Sequence, residues 1–303
     1  MRWRPFAVLG LMLGLSLAAV PSVAADESRV EAERAHRASR EVSLPVAERI
    51  QWLEQSLAAW PTFVAHYDLG QLLRDTDANA ALTNFHAAFG LANDDIHRGR
   101  AAYQLGLTHA QLDDAVEARH WLRRSLQLLD HPEIRRALRT LELSQRGRVV
   151  SAEDIDRELR ASRAFGVAKA ELRVNFQINR ARLDPTGRRQ ADELGKALGQ
   201  RRNADFVLLG HTDRQCPHEA TADDCDRFNL RLSAERAAAV RQHLLETFGI
   251  PAQGLHSLGC GRGHLLSVQD SDDDHYLNRR VVILAADPHT PSDELCSLGA
   301  GLF

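Results

Sequence analysis

The sequence lacks the arrangements that would mark it as an enzyme or a channel. It has no His-Glu-x-x-His and no Gly-x-Ser-x-Gly. The Gly259-Cys260-Gly261-Arg262-Gly263 run lacks the strand–loop–helix setting and spacing of a dinucleotide or phosphate loop. After residue 20 no stretch is apolar enough to cross a bilayer, and no series of alternating strands suggests a membrane barrel. Basic excess is missing too: the formal net charge is -3. Such a chain is a poor nucleic-acid binder. No cofactor-binding motif is present, so none is expected.

What is there begins at the N-terminus. Arg2 and Arg4 precede an almost wholly apolar run, Phe6 to Val20, which closes with Pro21-Ser22-Val23-Ala24-Ala25 before Asp26. This is the three-part pattern of a secretory signal peptide over residues 1–25. A membrane anchor is the competing reading, and the closing proline and small residues argue against it. No cysteine lies at the junction, so lipid attachment there is excluded. Removing residues 1–25 takes away two arginines and no acids, moving the charge from -3 to -5. An exported chain meets oxidising conditions, so its four cysteines are expected in disulfides. Three pairings are possible; Cys216 with Cys225, and Cys260 with Cys296, is the favoured one. A zinc site at Cys216, His218 and Cys225 lacks a paired knuckle spacing.

Residues 26–146 read as helices throughout, with only three prolines and a predominance of Ala, Leu, Glu and Arg. They also repeat. Leu69-Gly70 recurs 36 residues on as Leu105-Gly106; Ala81, Phe85 and Ala88 recur 37 residues on as Ala118, Leu122 and Ser125; Trp52 to Leu57 recurs as Trp121 to Leu126. Periods of this length indicate stacked helical hairpins. The pattern resembles tetratricopeptide repeats, with a generic helical bundle as the alternative. The resemblance implies a concave groove for a protein partner. A last helix from Ile134 to Leu143 would cap the stack.

Residues 147–166 read as a linker with a short helix, and 167–286 change rhythm. A strand is expected at Leu172–Phe176 and a helix after Asp184-Pro185. Phe206–Leu209 is a buried strand. Ser233 is expected to cap a helix running through Val240 to Leu245, and strands follow at Leu255–Leu258 and Val281–Leu284. The fold class is α+β: helical hairpin repeats, then a β-α-β-α-β-β two-layer domain, with residues 287–303 as a tail.

Three polar clusters look unnecessary for folding. Gly210-His211-Thr212-Asp213 follows a strand, where ligands are commonly held. Asn229-x-x-Leu232-Ser233-x-x-Arg236-Ala237 would place Arg236 in the first turn of its helix, where a cation opposes the macrodipole unless an anion lies beside it. Asn278-Arg279-Arg280 enters the last strand. Their order and spelling, with the opening Phe176 to Leu183 and the turn at Gly259 and Gly261, resemble the OmpA-like peptidoglycan-binding family.

The resemblance implies a non-catalytic envelope protein of a Gram-negative periplasm, associated with the cell wall or outer membrane. It implies a hold on the diaminopimelate of the stem peptide. Asp213 would accept from its ammonium and Arg236 would fork onto its carboxylate. Asn229, Leu232, Thr212 and Asn179 would line the pocket, and Arg280 would act as a ligand contact or a structural ion pair. Two departures stand out. Asp213 and Arg236 are 23 positions apart, further than in relatives, with no glycine between them. Asn179 stands where relatives often carry Asp. A wall hydrolase targeted by this domain, and a scaffold that no longer binds the wall, are the competing functions.

Overall fold

The computed structural model describes residues 23–163, 167–174, 176, 181–199, 201 and 204–300. The chain forms two compact units, one ending at Ala65 and one starting at His66. The first is built on α1 (Val23–Ser39) and α2 (Val46–Ala59). Ala32, Ala35 and Leu53 pack between them, and Ser56 Oγ donates to the Ala32 carbonyl at 2.8 Å.

Helix α3 (Phe63–Leu73) leads into the second unit, and α4 (Ala78–Leu91), α5 (Asp95–Gln111), α6 (Ala115–Leu128), α7 (Pro132–Ser144) and α8 (Ala152–Arg163) follow. Asp77, Asp94 and Asp114 each cap a helix by accepting from a backbone N–H. The sequence repeat has a packing counterpart. A Cβ on Gly70 would lie 2.7 Å from the Phe85 ring, and one on Gly106 would lie 2.6 Å from Leu122. Both hairpins therefore need a residue without a side chain at the crossing.

The remaining elements are β1 (Lys169–Leu172), α9 (Pro185–Gly199), β2 (Phe206–His211), α10 (Ala222–Phe248), β3 (Leu255–Gly259), α11 (Asp272–Asn278), β4 (Arg280–Ala285) and α12 (Ser292–Gly299). The sheet order is β1-β4-β2-β3, with β4 antiparallel to both neighbours and β2 parallel to β3. Strand alternation divides the core. Phe206, Leu208, Val281 and Ile283 face α8, α9 and α10, whereas Val207, Leu209, Val282 and Leu284 face α12. Each such buried leucine or valine contributes about 1.5–3 kcal/mol.

Three expectations need correcting. The first strand covers Lys169–Leu172 rather than Leu172–Phe176; Phe176 instead bridges to Leu183. The last two strands follow one another, but their connection carries a short helix, α11, that the expected order lacks. Ser233 does not cap a helix: Thr221 does, accepting from Asp224 N, with Asp223 and Asp224 favouring that first turn. Arg236 is thus mid-helix, and the macrodipole argument for an anion there falls.

A buried ionic network joins α6, α7 and α8 to the sheet. Arg119 Nε bonds Glu142 at 2.7 Å and its Nη1 bonds Glu158 at 3.2 Å. Arg123 pairs with Glu171, which also meets Arg173 and Arg280, each at 3.3 Å. Burial opposes charge on Arg119, yet Glu142 and Glu158 hold its pKa above the ordinary arginine value. Burial likewise opposes charge on Glu171, and Arg123, Arg173 and Arg280 hold its pKa well below the usual carboxylate range.

Candidate functional site

The site lies where β2 ends. Helix α10 crosses so closely that a Cβ on Gly210 would sit 2.1 Å from the Ser233 carbonyl oxygen. Thr212 N donates to Gly261 O at 3.0 Å, and Gly261 N donates to Ser233 Oγ at 2.9 Å. Ser233 therefore ties the helix to the β3 turn. With Thr212 and the strand end pinned, the next side chain, Asp213, is held at the sheet edge.

Asp213 is 5% exposed. Its Oδ1 accepts from Gln215 N at 3.0 Å, its Oδ2 accepts from Arg279 Nη1 at 2.6 Å, and His275 Nδ1 lies 3.9 Å from that same oxygen. Arg236, half-buried on α10, sets its guanidinium over the Phe176 ring at 5.1 Å. Burial, and then the nearby charge of Arg279, lower its pKa, while Asp213 raises it. One carboxylate and two guanidiniums thus feel one another at this edge.

The other site residues divide. Leu232 is half-buried on α10. Thr212 Oγ1 is buried and has no hydrogen-bond partner among the described residues. Asn229 is buried, and its Nδ2 donates to Gln215 O at 3.0 Å and Cys225 O at 3.1 Å, stapling the loop that follows Asp213. Arg280 turns the other way. Its side chain is fully buried, meets Glu171, and donates to His264 O at 3.1 Å. Burial, despite Glu171, pushes its pKa down to about 10. It occupies the structural ion pair, and its neighbour Arg279 reaches Asp213. Asn179 lies outside the described residues.

Both expected disulfides form, with Cα–Cα separations of 5.2 Å for Cys216–Cys225 and 5.7 Å for Cys260–Cys296. Bonded to each other, Cys216 and Cys225 cannot serve as zinc thiolates. The first bridge closes the insertion between Asp213 and α10. The second ties α12 to the turn after β3.

Sequence reasoning missed Arg279 as the partner of Asp213, His275 as its neighbour, and Phe176 as the platform for Arg236. Arg279 and Arg280 were both in the motif. Only the register at the start of β4 decides which of them faces the site.

The chain resembles outer membrane porin F of Pseudomonas aeruginosa (24% identical over 115 residues, 38% of this chain and 31% of that protein). It also resembles outer membrane protein Omp38 of Acinetobacter baumannii (26% over 111 residues, 37% of this chain and 29% of that one). It thus spans under a third of the length of these curated relatives. Among solved structures, the cell wall anchor of the T6SS from Pseudomonas aeruginosa is 23% identical with a TM-score of 0.34, covering 43% of this chain and 95% of that one. The peptidoglycan-associated lipoprotein from Burkholderia pseudomallei is 20% identical with a TM-score of 0.31, covering 37% and 86%. The OmpA family model matches residues 175–279, a span that holds Asp213, Asn229, Arg236 and Arg279. The C-terminal part of this chain contains an OmpA family domain.

Proposed function

We propose that this domain binds peptidoglycan through the zwitterionic end of diaminopimelate, and that the protein is a non-catalytic component of the periplasmic face of the envelope. The observation that carries this reading is the cluster of Asp213, Arg236 and Arg279 inside the OmpA-family segment. Two guanidiniums and one carboxylate leave one positive charge in excess. A ligand end with a carboxylate and an ammonium on one carbon complements that set. Its carboxylate meets Arg236, whose planar fork suits bidentate bonding. Its ammonium meets the lone pairs that Asp213 retains beyond its bonds to Gln215 N and Arg279. Leu232 and Thr212 stand beside the ligand on this reading.

The helical hairpins recruit a protein partner on the same proposal. A groove of about 560 Å³ between α5, α6 and α7, lined by Tyr103, Leu107, Arg136 and Thr140 among others, supports a repeat-type docking surface. Residues 1–25 act as the export signal.

Co-sedimentation tests the reading. The exported form is expected to pellet with purified diaminopimelate-type peptidoglycan. Asp213→Ala and Arg236→Ala are expected to stay in the supernatant while still folded. Wild-type protein remaining soluble defeats the reading, and release of soluble wall fragments during the incubation favours a hydrolase.

A further inference from the structure

Arg279 sits at the exit of α11, a short helix whose entrance is held from outside the OmpA-family segment. We propose that Arg139, on α7 of the helical region, is a positioning residue for the ligand site, acting through Asp274 and α11. The inference rests on the functional reading above and names what regulates that site.

Asp274 is the link. It is completely buried, and its carboxylate is contacted by Arg139 Nη1, Ser267 Oγ and Ser271 Oγ. Ser271 and Asp274 form a capping box at the start of α11. Burial opposes the charge on Asp274, and Arg139 with the two serines holds its pKa below the ordinary range. A second tie lies alongside: Arg146 Nη1 meets Asp273 at 3.1 Å, and its guanidinium stands 5.0 Å over the Tyr276 ring.

From α11 the contacts run into the site. Arg279 donates to Asp213 Oδ2, and His275 Nδ1 lies 3.9 Å from the same oxygen. Asn278, fully buried, accepts from Leu266 N at 2.7 Å and Ser267 N at 3.1 Å, fixing the loop before the helix. That loop in turn accepts Arg214 Nη1 at Val268 O, 2.5 Å away. Loop and helix therefore touch both Asp213 and its neighbour. Seven residues span only about 10 Å and do not hold a helix by themselves. The placement of α11 is set by its end contacts, and the arginine that meets the buried carboxylate at its entrance is Arg139, whereas the Arg146–Asp273 pair is half-exposed. Without that arginine, Asp274 is a buried carboxylate that has lost the cation it pairs with. It then takes up a proton or draws α11 toward water, and Arg279 moves with the helix.

The test uses the full chain labelled with ¹⁵N-arginine and ¹⁵N-glutamine, and measures binding to diaminopimelate-type peptidoglycan alongside. Arg139→Ala is expected to shift the Arg279 side-chain and Gln215 amide signals without ligand, and to weaken binding about tenfold, within the range of coupling through packed elements. Arg139→Lys restores both. Arg148→Ala, which removes an exposed pair with Asp113, moves neither. A merely structural Arg139 would perturb signals near Asp274 and leave Arg279 and Gln215 unmoved; that result, or unchanged affinity, overturns the proposal. Should Arg139→Ala fail to fold, Arg139→Gln keeps a hydrogen bond without the charge and is read the same way. Wild-type protein that does not bind defeats the functional reading instead, and the spectra then decide whether Arg139 positions Arg279.

Discussion

Arg279 donates from Nη1 to Asp213 Oδ2 at 2.6 Å, pairing a side chain that is 40% exposed with one that is 8% exposed. The asymmetry separates their roles: Asp213 is fixed by the fold, and Arg279 reaches it from the solvent side. Adjacent in sequence, Arg280 is fully buried against Glu171. Two consecutive arginines should therefore give opposite phenotypes. Arg279→Ala is expected to lower peptidoglycan affinity at least tenfold with a stability loss of about 1–2 kcal/mol. Arg280→Ala is expected to lose about 3–5 kcal/mol, because it leaves Glu171 short of a buried partner. Urea unfolding of the two variants, beside a binding assay, separates them.

Much of this was legible in the sequence, and the rest was not for identifiable reasons. The strands at Phe206 and Val281 follow from continuous apolar runs, and the helix after Pro185 follows from its Asp184 cap, which accepts from Gly187 N at 2.7 Å. The repeat of Leu69-Gly70 at Leu105-Gly106 anticipated two equivalent close crossings. The start of α10 was misplaced by twelve residues, since both Thr221 and Ser233 are chemically able to cap. Only the disulfide-closed loop and the contact of Ser233 with Gly261 decide between them. Asn229 carries the spelling of a pocket residue, yet its Nδ2 donates to Gln215 O and Cys225 O. Long-range partners such as Arg139 and Asp274, 135 positions apart, leave no local pattern.

The buried network offers a stability test. Arg119 holds Glu142 and Glu158, each nearly inaccessible to solvent. Arg119→Met leaves two buried carboxylates without that partner and is expected to destabilise the second unit by about 3–5 kcal/mol. Thermal unfolding checks it; a loss below 1 kcal/mol would show that the remaining arginines suffice.

Lys169 and Lys196 are the only lysines in the chain. Burial, then the charge of Arg123, pushes the Lys169 ammonium down to about 8, while its Nζ donates to Leu298 O and Ala300 O at 3.0 and 3.1 Å. The folded value lies below the unfolded one near 10.4. Between roughly pH 8 and 10 the unfolded chain binds more protons, so this residue makes stability rise with pH. Reductive ¹³C-methylation should give two lysine signals, one titrating near pH 8. A pair that both titrate near 10 would contradict this.

The Cys216–Cys225 bridge supports Asp213 through Gln215, whose N–H meets Asp213 and whose carbonyl meets Asn229. Cys216→Ser with Cys225→Ser is expected to weaken peptidoglycan binding severalfold, and to cost about 2–3 kcal/mol of stability for so short a loop. Thiol counting on the denatured, non-reduced wild type should find no free cysteine. Equal affinity with and without the bridge would make the insertion a surface feature only.

On the proposed function, Asp213 and Arg236 hold the two charges of one ligand carbon. Isothermal titration of residues 26–303 with a stem peptide ending in diaminopimelate, against the same peptide carrying lysine, is the decisive test. Lysine keeps the ammonium and lacks the carboxylate that Arg236 would hold. The diaminopimelate peptide is expected to bind, the lysine peptide to bind at least tenfold more weakly, and the difference to vanish in Arg236→Ala. Equal affinity for both peptides in the wild type, or a difference that survives Arg236→Ala, would contradict it.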